Sequence, residues 1–181
     1  MKKTLFLLLI LSPVFTFAQS VEKIHWVSIQ EAVDLQKKEP RKIIMDVYTK
    51  WCGPCKMMAN NTFMNDDVAD YINSNYYAVK FDAESPETVV FKGQEFKNPT
   101  YNPEAKGRNG VNEFSRYLNV GAYPTLIFMD EKADVLGPVT GYRTPQQLEI
   151  FLKYFAEDKY ETIRTPEQWQ EYETSFVGTF K

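Results

Sequence analysis

Cys52 and Cys55 are the only two cysteines in this chain of 181 residues, and they sit three positions apart in the run Trp51-Cys52-Gly53-Pro54-Cys55. Two thiols at that spacing can exchange electrons with a disulfide: one sulfur attacks, the other resolves. Just before them, Ile43, Ile44, Met45, Asp46, Val47 and Tyr48 read as a buried strand. Just after them, Lys56, Met57, Met58 and Ala59 read as helix. The pair therefore falls where a strand hands over to a helix N-terminus. Unpaired backbone N–H groups and the positive end of the helix dipole there favour thiolate over thiol and lower the pKa of the first cysteine. Three residues is also one helical turn, so the sulfurs can bridge without unwinding the helix. Two plainer roles compete with this one. A purely structural bridge closing so short a loop would remove little chain entropy. A metal half-site lacks ligands, because zinc wants four and the chain adds no cysteine and a single histidine, His25, far away in sequence. His25 reads as a packing or surface residue, and no metal or cofactor is expected.

The elements that must hold the pair in place follow from periodicity and caps. Ile24 to Val27 suggests a short first strand, and Ser28 with Glu31 a capping box opening a helix through Ala32, Val33 and Leu35. Pro40 closes that region before the strand Lys42 to Tyr48. Beyond the cysteine helix, Asn65 or Asp66 can cap a helix carrying Val68, Ala69, Tyr71 and Ile72, and Tyr76 to Asp82 reads as another strand. This βαβαβ alternation predicts an α/β fold, a sheet with helices on its faces. Residues 83–110 interrupt the rhythm. Thr88 to Phe91 and Gln94 to Phe96 flank Lys92-Gly93 as a hairpin signal, and Asn98 to Gly110 is rich in Asn, Pro and Gly. An insertion of this length either shapes a partner surface or is decorative. Regular structure resumes with a helix over Val111 to Leu118, a strand over Pro124 to Met129 and a strand over Val135 to Gly141. A helix then opens at the capping box Thr144-Pro145-Gln146-Gln147 and carries Leu148, Phe151, Leu152 and Phe155. Thr165 to Gln168 opens a short tail helix with Trp169, Tyr172 and Phe176, aromatics placed to cover the domain.

The first 18 residues carry Lys2 and Lys3, an apolar run from Leu5 to Leu11, and Thr16-Phe17-Ala18 with small residues where a leader would be cut. They are expected to form an export signal cleaved after Ala18, leaving one domain over residues 19–181. The apolar run is short for a membrane span and no cysteine follows it to accept a lipid, so no stable membrane insertion is expected and the compartment is periplasmic or extracellular. Loss of Lys2 and Lys3 moves the formal net charge from −3 to −5, and no basic run invites nucleic acid. A monomer is expected.

Three separated features make the chain similar to the thioredoxin superfamily over roughly residues 24–155, the insertion aside. They are Trp51 to Cys55 as WCGPC, Asp46 six residues before the first cysteine, and Tyr123-Pro124-Thr125 entering a strand after a helix. The resemblance implies a thioredoxin fold, a central mixed sheet flanked by helices, here with a hairpin-containing insertion (about 83–110) and a short helical extension (about 156–181). It implies that Cys52 is the exposed nucleophile and Cys55 the buried resolving thiol. Asp46 would be a buried carboxylate moving protons to and from Cys55. Pro124 would be a cis proline against the disulfide, with Trp51, Gly53, Pro54 and Tyr123 completing a platform for an extended substrate. The run Lys56 to Asp67 and the stretch Val139 to Tyr142 look like the reductase-relay branch that includes the periplasmic C-terminal domain of the thiol conduit DsbD. Two departures stand out. Where many thioredoxins place a lysine beside the buried carboxylate, this strand offers Ala78, with Lys80 two residues on; and Tyr123 is bulkier than the usual residue before the proline.

The expected function is a thiol:disulfide oxidoreductase acting on protein disulfides, as a reductase or relay supplied by an external electron donor such as a membrane thiol conduit. Reducing and oxidising members of this chemistry differ by about 150 mV, or roughly 7 kcal/mol for two electrons, which fixes direction. Disulfide oxidase or isomerase is the alternative within that class, and a non-catalytic binding scaffold the alternative outside it.

Overall fold

The computed structural model describes residues 23–181, so the expected export signal lies outside the described residues. In chain order the elements are β1 (Trp26–Val27), α1 (Ile29–Gln36), β2 (Lys42–Tyr48), α2 (Gly53–Met57), α3 (Asp66–Asn75), β3 (Tyr76–Asp82), β4 (Val89–Phe91), β5 (Gln94–Phe96), α4 (Glu113–Tyr117), β6 (Thr125–Met129), β7 (Val135–Thr140), α5 (Pro145–Ala156) and α6 (Pro166–Ser175). Five strands form one mixed sheet in the order β1-β3-β2-β6-β7, while β4 and β5 pair as a separate hairpin. The β1, β3 and β2 strands run parallel, as crossover helices require, and β6 and β7 add antiparallel.

Side chains of a strand alternate between faces, and β2 shows what that does here. Ile43, Met45 and Val47 enter a core shared with Ile29 and Ala32 of α1, while Ile44 enters the opposite core with Met58, Val68, Ile72, Leu148 and Leu152. Asp46 follows Ile44 by two and so lies on the same side, where it is buried. The sheet is thus covered on both faces, and its one buried acid sits beside the cysteine helix.

The hairpin in the insertion turns through Lys92 (φ 50°) and Gly93 (φ 78°), the two left-handed residues that a two-residue hairpin turn demands. Its side chains join the core. Phe91 and Phe96 are buried, each with its ring 5.3 Å from that of Phe114, which in turn meets Phe81 of β3 at 5.4 Å. The irregular stretch that follows is tied down by two buried asparagines. Asn98 donates through Nδ2 to the carbonyls of Glu84, Ser85 and Gly110; Asn112 donates to those of Ser85 and Glu87 while its Oδ1 accepts from Phe114 N–H at the start of α4. At Gly110 the backbone approaches Thr100 so closely that a Cβ would lie 2.2 Å from its Oγ1, which only glycine permits.

Several elements differ in detail from the sequence expectation. The first strand keeps only Trp26–Val27. Ser28 Oγ accepts from Glu31 N–H, so the cap forms as a single bond and not as a reciprocal box. The helix expected from Val111 starts at Glu113, because Asn112 takes the capping position. The cysteine helix passes at Met58–Thr62 into a wider π-type turn, closed by Phe63 N–H donating to the Met58 carbonyl. Both downstream capping boxes, Thr144 with Gln147 and Thr165 with Gln168, form reciprocally. Trp169 on α6 stacks on Phe151 of α5 at 5.4 Å, so the tail helix covers α5.

Candidate active site

Cys52 is the cap of α2 and is joined to Cys55 by a disulfide, their Cα atoms 5.3 Å apart. The Cys52 sulfur also accepts from the Cys55 backbone N–H at 3.1 Å. The first sulfur is therefore held against the donors of a first helical turn, where negative charge on it is favoured. The second is carried inward by the turn. In this bridged state Cys52 is as covered as Cys55, at 3% and 5% exposure, which corrects the expectation of an exposed nucleophile. Bonded to Cys55 at the start of the helix, Cys52 lines a groove.

That groove, a cavity of about 620 Å³, separates the two cysteines by environment. It is lined by Trp51, Cys52, Gly53 and Pro54 from the motif, by Tyr123 from the segment before β6, and by Glu84, Arg108 and Arg116. Trp51 and Tyr123 meet edge to face with ring centroids 6.1 Å apart, and Trp51 Nε1 donates to Glu84 Oε1 at 2.9 Å. The Tyr123–Pro124 bond is cis. Pro124 is buried, its carbonyl accepts from Gly141 N–H, and the surface offered to the groove is that of Ala122 and Tyr123.

Cys55 faces a different cavity, of about 260 Å³, shared with Asp46, Thr49 and Lys80. Burial pushes the Asp46 carboxyl up to about 7, against the attraction of Lys80, which favours the charged form. Asp46 Oδ1 and Thr49 Oγ1 are buried with no hydrogen-bond partner. The β2–β3 register corrects the sequence expectation about the lysine: Ala78 stands opposite Ile44, and Lys80 is the residue directly opposite Asp46. Strand alternation then puts both on one face. That pairing could not be counted out along either strand alone, because it depends on the parallel register.

Of the residues singled out by sequence, Trp51, Cys52, Gly53, Pro54 and Tyr123 share the groove, while Asp46 and Cys55 share the cavity behind it. Glu84, Arg108 and Arg116 were missed. All three belong to or adjoin the insertion, and nothing in their local sequence ties them to a site formed some thirty or more positions earlier. His25 is exposed, and among the described residues no cluster of His, Cys, Asp or Glu is arranged to hold a metal ion.

A mixed sheet of this order with a bridged Cys-Gly-Pro-Cys at the start of a helix defines a thioredoxin-fold protein of thiol-disulfide oxidoreductase type. The chain belongs to the thioredoxin-like domain family, whose model matches residues 29–156. It is 26% identical over 145 residues to the thiol-disulfide oxidoreductase ResA of Oceanobacillus iheyensis, covering 80% of this chain and 71% of that one. A proposed disulphide-isomerase from Bacteroides thetaiotaomicron has a solution structure with TM-score 0.51 and 27% identity, over 74% of this chain and 92% of that one. A thioredoxin-fold protein from Helicobacter pylori gives TM-score 0.57 at 13% identity, over 75% and 81% of the two chains. No helix among the described residues is long and apolar enough to cross a membrane.

Proposed function

We propose that this protein is an exported reductase or electron relay for protein disulfides, working through Cys52 and Cys55. The observation that carries this reading is the division of labour between the two sulfurs: Cys52 opens on a groove, and Cys55 on a cavity holding a buried acid. In the reduced protein the Cys52 thiolate attacks one sulfur of a substrate disulfide. A Cys52–substrate disulfide forms and the other substrate sulfur leaves as a thiolate. Asp46 then takes the proton of Cys55, and the Cys55 thiolate attacks the Cys52 sulfur. This expels the second substrate thiolate and closes the Cys52–Cys55 bridge. Two electrons pass from the pair to the substrate, and a dithiol donor, such as a membrane thiol conduit, must restore them. An acid with a pKa of about 7 is matched to accepting and returning a proton at neutral pH.

Insulin reduction by the chain lacking residues 1–18, compared with Cys52→Ser, tests the chemistry; activity that survives the substitution would overturn it. The reduction potential of the pair tests direction. A value near the roughly −270 mV of thioredoxin supports a reductase, and one near the roughly −120 mV of the oxidant DsbA would replace this reading with an oxidase. Asp46→Asn is expected to slow turnover at pH 7 by about a hundredfold, the lower end of what an acid–base group contributes. An unchanged pH–rate profile would return Asp46 to a structural role.

A further inference from the structure

The groove above Cys52 has a wall built by the insertion, and that wall is cationic. Trp51 is fixed on one edge by Glu84, and the Arg108 guanidinium lies 4.3 Å from the centre of its ring. A planar guanidinium on an indole face keeps its outward N–H donors while losing little further freedom on binding, so it is prepared for a carboxylate. Arg116 of α4 faces the same groove. Neither arginine takes part in an ion pair among the described residues, in a chain whose overall charge is negative. The one acid lining the groove, Glu84, has an oxygen committed to Trp51 Nε1 and is mostly covered. The segment bearing Arg108 is held in place by the Asn98 amide and by Asn109, which bonds both the N–H and the carbonyl of Asn102.

Building on the reductase reading above, we infer that Arg108 and Arg116 select the substrate: a protein segment with Asp or Glu flanking the disulfide that Cys52 attacks. The carboxylates would meet the two guanidinium groups while the disulfide sulfur meets Cys52 between Trp51 and Tyr123. The arginines bind and orient, and take no part in the electron transfer.

The test uses three disulfides offered to the reduced chain: a peptide with acidic flanks, the same peptide with lysine flanks, and uncharged hydroxyethyl disulfide. At low ionic strength the acidic peptide should react about tenfold faster than the basic one, as two solvent-exposed charge pairs allow. The ratio should shrink as added salt brings the screening length to about 3 Å near 1 M. It should fall to near one in Arg108→Ala/Arg116→Ala and persist in Arg108→Lys/Arg116→Lys and in Lys106→Ala, which removes a nearby exposed charge outside the groove. A protein that exchanges with hydroxyethyl disulfide but treats the two peptides alike overturns this inference and leaves the function standing. So does a ratio that survives the double alanine change. A ratio on the unaltered chain that does not shrink with added salt also overturns it, since the selectivity would then not be carried by exposed charges. Failure to exchange with all three disulfides overturns the function itself and the selectivity with it.

Discussion

Asp46 occupies a position on β2 where the alternation of a twice-covered strand calls for an apolar side chain, and the consequences are measurable at the level of one residue. Its carboxyl is raised from 3.8 to about 7 by burial, opposed by Lys80. A raised acid is neutral in the folded chain over a pH range where it is ionised in the unfolded chain. The cost to stability is therefore absent below about pH 4, grows between the two values, and is complete above pH 7, where three units amount to roughly 4 kcal/mol. Asp46→Asn should accordingly raise the urea midpoint of the bridged protein at pH 8 and change it little at pH 4. Equal gains at both pH values would show that the amide's shape, not the lost charge, is responsible. Cys52 makes the opposite prediction. With the Cys55 N–H aimed at its sulfur, the reduced Cys52 should titrate below the roughly 8.5 of a free thiol and be the first alkylated by iodoacetamide. Faster labelling of Cys55 would reverse their roles.

At the scale of elements, the parts legible in the sequence were those whose signals are local. The hairpin through Lys92-Gly93 and the capping boxes at Thr144 and Thr165 are specified by neighbours within a few residues, and all three form. What the sequence left open depends on partners far along the chain. Glu149 lies between Leu148 and Ile150 on α5 and gives no sign of burial, yet its side chain is wholly covered. Its carboxylate accepts from the N–H of Thr179 and Phe180, from Thr179 Oγ1 and from Lys153 Nζ, tying the tail of the chain to α5. Burial alone would raise its pKa, but these donors outweigh it and hold the group at about 2, below its ordinary 4.5. A depressed acid stabilises above its unfolded value and loses that contribution as pH falls through the folded one. Glu149→Gln should cost roughly 1.5–3 kcal/mol at pH 7, the range for hydrogen bonds to a charged group. The deficit should narrow toward pH 2, with faster hydrogen exchange at the Thr179 and Phe180 amides. The insertion is an element of the same kind, held by contacts that its sequence does not announce. Gly110→Ala, pressed against Thr100, should speed exchange of the amides over 98–110 while scarcely moving the global urea midpoint, because that stretch can open locally. A large global loss would mean instead that the loop folds as one unit with the sheet.

For the molecule as a whole, the site joins three segments that the sheet brings together: the β2–α2 junction, the end of β3 with the insertion, and the entry to β6. The cysteine pair could be picked out beforehand from residue type and spacing along one stretch, and Asp46 from the resemblance to thioredoxins, which implies a buried carboxylate six residues before the first cysteine. The lysine opposite Asp46 and the arginines of the groove could not, since only strand register and loop packing place them. The same convergence links redox state to stability. The free energy of closing the Cys52–Cys55 bridge in the folded chain differs from that in the unfolded chain by the stability difference between oxidised and reduced protein, with 30 mV equivalent to about 1.4 kcal/mol. In a strong oxidant the fold stabilises the dithiol; in a reductase it does not. Reduced Cys52 would keep its N–H partner, but release of Cys55 leaves a buried thiol beside a buried acid with an unpaired oxygen, and burial opposes ionising that second sulfur despite the lysines lining the cavity. The bridged protein is therefore expected to have the higher urea midpoint at pH 7, compared with the protein held reduced by excess dithiol. A reduced form more stable than the bridged one would mean that the fold draws electrons in, and the protein would then act as an oxidant of its partners.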